Sequence, residues 1–258
     1  MERPIVMVTG SNRNTGLGIV RYLAGHGFDV VCSARNRKNA DDTVNLLRNE
    51  YPDARVWGAV FDQSDPTQIH DAFQELSVKI PHLDGLVCNA TITGRQKFID
   101  IRPEEMSSIL LTNVNGYLFC AQEAAKLMIP RKKGSIVMIS SVQSKGAVPH
   151  MMAYAASKAA INSISRSIAL EMAQHHIRCN ALIAGAIRVD SWNELTDEQI
   201  ARKRANWPLG KEALPEDIAQ SIRFLLSDES SLITGTELTV DSGLSMSLLP
   251  YNAKWEEK

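Results

Sequence analysis

Short apolar runs alternate with longer amphipathic ones along this chain, and that alternation restricts its fold more than any other feature. The short runs are "IVMVT", "DVVCSA", "RVWGAVF", "GLVCNA", "GSIVMIS", "IRCNALI" and "ELTVD". Between them lie helical stretches such as "LGIVRYLAGHG", "DDTVNLLRNEY", "TQIHDAFQELSVKI", "EEMSSILLTNVNGYLFCAQEAAKLM" and "AYAASKAAINSISRSIALEMAQ". Strands that alternate with helical patterns describe repeated βα units and a parallel sheet. Pro66, Pro103 and Pro215 each stand where a helix is expected to begin, and "PEEM" and "PEDI" place carboxylates in the first turn. That suits the fixed φ of proline at the first helical position and the positive end of the helix dipole.

Seven such strands predict an α/β fold: a single-domain, Rossmann-type, doubly wound seven-stranded parallel sheet with helices on both faces. The 258 residues suffice for one α/β domain with a sizeable core, and no Gly/Ser or Pro-rich linker divides them, so residues 1–258 are read as one domain. A net charge of −1, with acids and bases interspersed, gives no electrostatic case for nucleic acid or an anionic membrane. No apolar run approaches the length of a membrane span, and "MERPIVMVTG" enters a strand too soon for a secretion signal. Cys32, Cys88, Cys120 and Cys179 lie singly among apolar neighbours, as reduced core thiols do, which points to a cytoplasmic protein. No metal site is expected: adjacent side chains such as those of His175 and His176 point in different directions on a helix, and no carboxylate or cysteine cluster accompanies them.

Ligands of such sheets bind at the carboxyl ends of the strands. The first of those ends carries "TGSNRNTGLG", in which Gly10, Gly16 and Gly18 allow close backbone approach and Gly16 to Gly18 are expected to open a helix whose free N–H groups face a pyrophosphate. The second carries "SARNRK", with no acid before Asp41 to take a ribose hydroxyl. Arg35 there, and Arg13 in the glycine segment, instead suit a 2′-phosphate. At roughly 1.5 to 3 kcal/mol per charge-assisted hydrogen bond, two arginines favour the phosphorylated cofactor about 100-fold or more. NADP(H) is therefore the expected cofactor, with NAD(H) the alternative. In "YAASK", Tyr154 and Lys158 share one helix face, and an ammonium about 4 to 6 Å away lowers a phenol's pKa toward the range of an acid/base catalyst.

Together these residues resemble the short-chain dehydrogenase/reductase family, most closely its ketoacyl-reductase-like branch. The likeness runs from "VTG" to "ITGTELTVDSG", through "FDQSD", "CNA", "TNVNG", "VMISS", "YAASK", "IRCNALIAG" and "VDSG" in the family's order. The resemblance implies a catalytic set of Asn113, Ser141, Tyr154 and Lys158. Ser141 would hydrogen-bond the substrate oxygen beside Tyr154, and Ser140 is the less suitable serine of the pair. Lys158 would also hold the nicotinamide ribose, and Asn113 would anchor a water relay to it. Cofactor contacts would come from Gly10, Ser11, Asn12, Arg13, Gly16, Leu17 and Gly18, from Arg35 and Asn36, from Asp62 at the adenine, from Gln63, and from Tyr154 as well as Lys158. Asn89, Ala90 and Thr91 would line the adenosine half, with Gly185 and Ile187 near the nicotinamide.

The sequence also departs from the family pattern. Thr91 replaces a glycine, Ala184 a proline and Val189 a threonine that often bonds the carboxamide; loss of one such bond, about 0.5 to 1.5 kcal/mol, weakens cofactor binding modestly. "DSG" stands for DGG. Five residues separate Gly10 from Gly16 where the family has three between its first two glycines, so that Asn14 and Thr15 are expected to bulge outward or add polar contacts. Divergent enoyl reductases share the longer spacing, but their tyrosine precedes the lysine by seven positions, where this chain has Met151.

The resulting expectation is an NADP(H)-dependent oxidoreductase that interconverts a small-molecule carbonyl and an alcohol. The alternatives are an enoyl-reductase-like enzyme or a cofactor-binding sensor or scaffold without turnover. Residues about 188–210 are expected to form a substrate lid and 244–258 a tail, with Trp192, Trp207 and Trp255 either lining an apolar pocket or packing the lid or a subunit interface. A homotetramer or homodimer is expected from the family's habit.

Overall fold

The computed structural model describes residues 2–246. Seven strands, β1 (Ile5–Val8), β2 (Asp29–Ala34), β3 (Val56–Val60), β4 (Gly85–Cys88), β5 (Gly134–Ser141), β6 (Ile177–Ala184) and β7 (Glu237–Val240), form one sheet in the order β3-β2-β1-β4-β5-β6-β7. Every pairing is parallel. The strand order reverses between β1 and β4, and a crevice opens at such a switch point beyond the carboxyl ends of the strands.

The helices are α1 (Asn14–Gly25), α2 (Arg37–Glu50), α3 (Pro66–Ser77), α4 (Pro103–Leu110), α5 (Gly116–Met128), α6 (Met152–Met172), α7 (Asp197–Arg204) and α8 (Pro215–Leu226). Pro66, Pro103 and Pro215 each occupy the first turn of their helix. Asp65 caps α3 by accepting the N–H groups of Thr67 and Gln68. One face of the sheet packs against α3, α5 and α6 through residues such as Phe73, Leu76, Tyr117 and Ile161; the other packs against α1, α2 and α8 through Ile19, Leu23, Leu47 and Ile222. This two-sided cover explains why β1, β2, β4 and β5 are buried along their whole length and read as continuous apolar runs.

Two elements differ from their sequence expectation. The long helical stretch 104–128 is interrupted by a π-helical turn at Leu111–Asn115, and that turn carries Asn113. Residues 188–210 form a small unit with its own core, a 3-10 turn at Asp190–Glu194 followed by α7, held by Trp192, Ile200 and Trp207. The two indole rings stack at 6.0 Å, so these tryptophans pack the lid itself. Trp255 and most of the tail lie outside the described residues. No helix among the described residues is long and apolar enough to cross a membrane.

Candidate active site

The glycine segment is not lengthened as its spacing suggests. α1 begins at Asn14, ahead of Gly16, and Asn14 itself has φ +49. Three residues separate it from Gly10, the interval at which the family carries its second glycine. Asparagine thus fills a left-handed position, which it tolerates better than most side chains. Its Oδ1 accepts the backbone N–H of Asp190 at 3.1 Å, tying the segment to the lid. Gly10, at φ +62, has Ala90 so close that a Cβ would come within 2.7 Å of it, and a Cβ on Gly16 would run into the Gly10 carbonyl.

Three of the expected cofactor contacts in this segment also hold the protein together. Ser11 is fully buried, and its hydroxyl accepts the Ser33 N–H at 2.9 Å. Leu17, on α1, is partly buried against the core on that side of the sheet. Gly18 makes room for Pro215 at the start of α8.

A cleft of about 500 Å³ lies over the switch point. Its walls include Gly10, Asn12, Arg13 and Gly16 from the first loop, Arg35 and Asn36 from the second, Asp62 and Gln63 from the third, and Asn89, Ala90 and Thr91 from the fourth. Arg13 and Arg35 are both exposed, and neither guanidinium has a hydrogen-bond or ion-pair partner among the described residues. The Asn36 side chain caps α2 by accepting the Asn39 N–H at 2.9 Å. The Gln63 amide donates to the carbonyls of Ala90 and Thr112, while its Oε1 is buried without a partner. Thr9, not singled out in the sequence, braces the fourth loop by accepting the N–H groups of Asn89 and Ala90 on one hydroxyl.

At the other end of the crevice β5 delivers two serines to opposite sides. Ser140 turns inward and donates to the Lys158 carbonyl, whereas Ser141 reaches the Tyr154 phenol. Alternation along a strand produces this division. Burial raises the Tyr154 pKa and the hydrogen bond from Ser141 opposes the rise. Lys158 lies one turn along α6 with its Nζ 5.5 Å from the Tyr154 ring centre. The ammonium points into the interior, donating to the Ile139 carbonyl at 2.8 Å, and burial lowers its pKa to about 7. The expected lowering of the phenol by Lys158 is therefore outweighed here by burial of both groups.

Asn113 is buried on the π-turn, a kind of irregularity frequent at functional sites. Its side chain accepts the Ile92 N–H and donates to the Ile92 carbonyl and the Ser157 hydroxyl, at 2.9, 2.9 and 3.0 Å. Ser157 donates in turn to the Tyr154 carbonyl at 2.7 Å, so the Asn113 side chain braces the catalytic turn of α6. Gly185 makes way for Asp241 at the end of β7, and Ile187 forms a bridge with Ala213. Beyond it, the buried Glu212 receives the fork of Arg204 at 2.7 Å and lies 3.5 Å from Arg188. Pairing with Arg204 depresses the Glu212 carboxyl to about 2. Glycine-rich loop, cleft, and Ser141 against Tyr154 thus follow one another along a single sheet edge.

A family model described as Enoyl-(Acyl carrier protein) reductase matches residues 10–245. The chain belongs to the short-chain dehydrogenase/reductase family. It is 33% identical to a 3alpha-hydroxysteroid dehydrogenase of Mediterraneibacter gnavus, over 93% of this chain and 96% of that one. It is 32% identical to a 3-oxoacyl-[acyl-carrier-protein] reductase of Haemophilus influenzae, over 96% of this chain and all of the other. Among solved structures it resembles a gluconate 5-dehydrogenase from Burkholderia cenocepacia J2315 in complex with NADP and tartrate, with a TM-score of 0.90, 28% identity and coverage of 96% and 97%. Members of this family are oxidoreductases, and relatives named for such different substrates match nearly the whole length of the chain.

Proposed function

We propose that the chain is an NADP(H)-dependent oxidoreductase that interconverts a carbonyl and an alcohol, with Ser141, Tyr154, Lys158 and Asn113 as its catalytic set. The observation that carries the reading is the meeting of Ser141 and Tyr154 beside Lys158 at the carboxyl edge of the sheet, next to a cleft with two unpaired arginines. The residues fit a phosphorylated dinucleotide: Gly10 and Gly16 leave a cradle that a Cβ would fill, and Arg13 and Arg35 supply charge at the adenosine end. When bound, the dinucleotide supplies or takes up the hydride. In reduction Tyr154 gives its proton to the substrate oxygen, and in oxidation it receives one. Ser141 donates a hydrogen bond to that oxygen as charge develops on it. Asn113, through Ser157, holds the turn of α6 that presents Tyr154.

Enoyl reduction by the divergent arrangement lacks its tyrosine, since the position seven before Lys158 is the buried Met151. A sensor or scaffold has no use for the full four-residue set. We further propose that the protein self-associates through α5 and α6. A groove between them is lined by Leu118, Ala121, Ile168 and Met172, with Leu170 80% exposed nearby in sequence. Light scattering is expected to give a dimer or tetramer mass, and a monomer at micromolar concentration would reject this part.

Fluorescence titration with NADPH and NADH tests the cofactor reading without a substrate. NADPH is expected to bind about 100-fold more tightly, as two charge-assisted contacts predict, and Arg35→Asp to remove most of that preference. Equal affinities for the two nucleotides would overturn it.

A further inference from the structure

Lys158 places an ammonium where no counter-ion meets it. The residue is 1% exposed, and no carboxylate among the described residues pairs with it. The groups facing it come from four elements: the Cys88 thiol from β4, Tyr117 from α5, the Ile139 carbonyl from β5 and Tyr154 from its own helix. Burial raises the Cys88 thiol far above its ordinary range, so it remains uncharged and offers no anion.

Tyr117 makes the most extensive contact of these. It is fully buried, with its ring centre 5.0 Å from Nζ, nearer than the Tyr154 ring at 5.5 Å. Its hydroxyl oxygen accepts from Nζ at 3.4 Å and donates to the Ile139 carbonyl at 3.4 Å, which Nζ also reaches at 2.8 Å. The ring and the hydroxyl therefore present electron density to one ammonium. Tyr117 itself stays a neutral phenol, because burial raises its pKa well above the ordinary value. A π face within about 6 Å favours a desolvated cation, and a buried tyrosine hydroxyl needs a partner.

We propose that Tyr117 is a positioning residue for catalysis, holding the Lys158 ammonium beside Tyr154 with its ring face and hydroxyl oxygen where a carboxylate would otherwise stand. The inference rests on the reading of Tyr154 as the acid/base. Tyr117 touches no reacting atom; it acts through Lys158. It lies four residues beyond Asn113, so the π-turn and the start of α5 carry both residues that arrange the catalytic turn of α6.

Loss of Tyr117 leaves burial less opposed, so the Lys158 ammonium, whose pKa burial already lowers to about 7, gives up its proton at lower pH. Carbonyl reduction, in which that ammonium favours the phenolate that Tyr154 leaves behind, then fails at lower pH. The test uses Tyr117→Phe, which keeps the ring, and Tyr117→Leu, which removes it. In each, the Lys158 ammonium is titrated by NMR, and the alkaline limb of the pH profile of kcat/KM for carbonyl reduction is recorded. Both midpoints are expected to fall, by at least about half a pH unit in Tyr117→Leu and by less in Tyr117→Phe. Unmoved Lys158 midpoints in both folded variants would overturn the proposal. Should Tyr117→Leu not fold, the Lys158 titration in wild type and Tyr117→Phe decides: a lower midpoint in the variant supports the proposal and an equal one rejects it. If Tyr154→Phe keeps wild-type turnover, the catalytic reading fails separately, and the Lys158 titration still reports on Tyr117.

Discussion

Lys158 shows how much a single residue of this site costs the fold. Its pKa is lowered by burial from 10.5 to about 7, so between those values the unfolded chain binds more protons than the folded one. Stability therefore rises with pH across that window, and the burial penalty is at its fullest below about pH 7. Lys158→Met is expected to abolish turnover while stabilising the protein at neutral pH by on the order of 1 kcal/mol, a rise in Tm of roughly 2 to 4 °C. The gain should shrink toward pH 10, and thermal melts at both pH values check it; a variant less stable than wild type at pH 7 would contradict this account. Tyr154 and Lys158 were legible in the sequence because helical spacing puts them on one face, and Ser141 was placed with them only by the family resemblance. Tyr117 was not, since in "GYLFCAQEAA" it reads as one more core aromatic until its distance to Nζ is known. Asn14 read as part of a longer loop, expected to bulge outward or add polar contacts, and its left-handed φ and its bond to Asp190 belong to the third dimension.

Among the elements, the lid is the one whose integrity hangs on a few polar contacts. Glu212 is held by Arg204 and faces Arg188, which joins α7 to the strand-like segment around Ile187. Because pairing depresses its pKa to about 2, its contribution is complete above the ordinary value of 4.5 and is lost as pH falls from there through about 2. Glu212→Gln is expected to speed amide hydrogen exchange across α7 severalfold at neutral pH and to remove its acceleration in acid, with exchange in β4 and β5 unaffected. Equal exchange in α7 of variant and wild type would show that the tryptophan core alone holds the lid. The π-turn at Leu111–Asn115 was hidden for a related reason: the stretch has continuous helical periodicity, and only tertiary bonds from Asn113 to Ile92 and Ser157 reveal the extra residue in the turn.

At the scale of the whole molecule, the sheet was the most legible part, because burial on both faces writes each strand as an apolar run and the carboxyl ends then locate the crevice. The lid was less so, since Trp192 and Trp207 bury themselves against one another and leave the substrate to be read from residues the sequence does not mark. The account makes the whole sheet a frame that brings a cofactor cleft and a proton donor to one edge. Its central claim is that Tyr154 moves the proton in a hydride-transfer reaction. The most direct test is NADPH oxidation by wild type and Tyr154→Phe against one panel of ketones and oxo acids, with NADPH affinity measured on the same samples. The account predicts turnover of at least one ketone by wild type, a loss of roughly 100-fold to 10,000-fold in the variant, and equal affinities. Turnover of that ketone by Tyr154→Phe at the wild-type rate would contradict it.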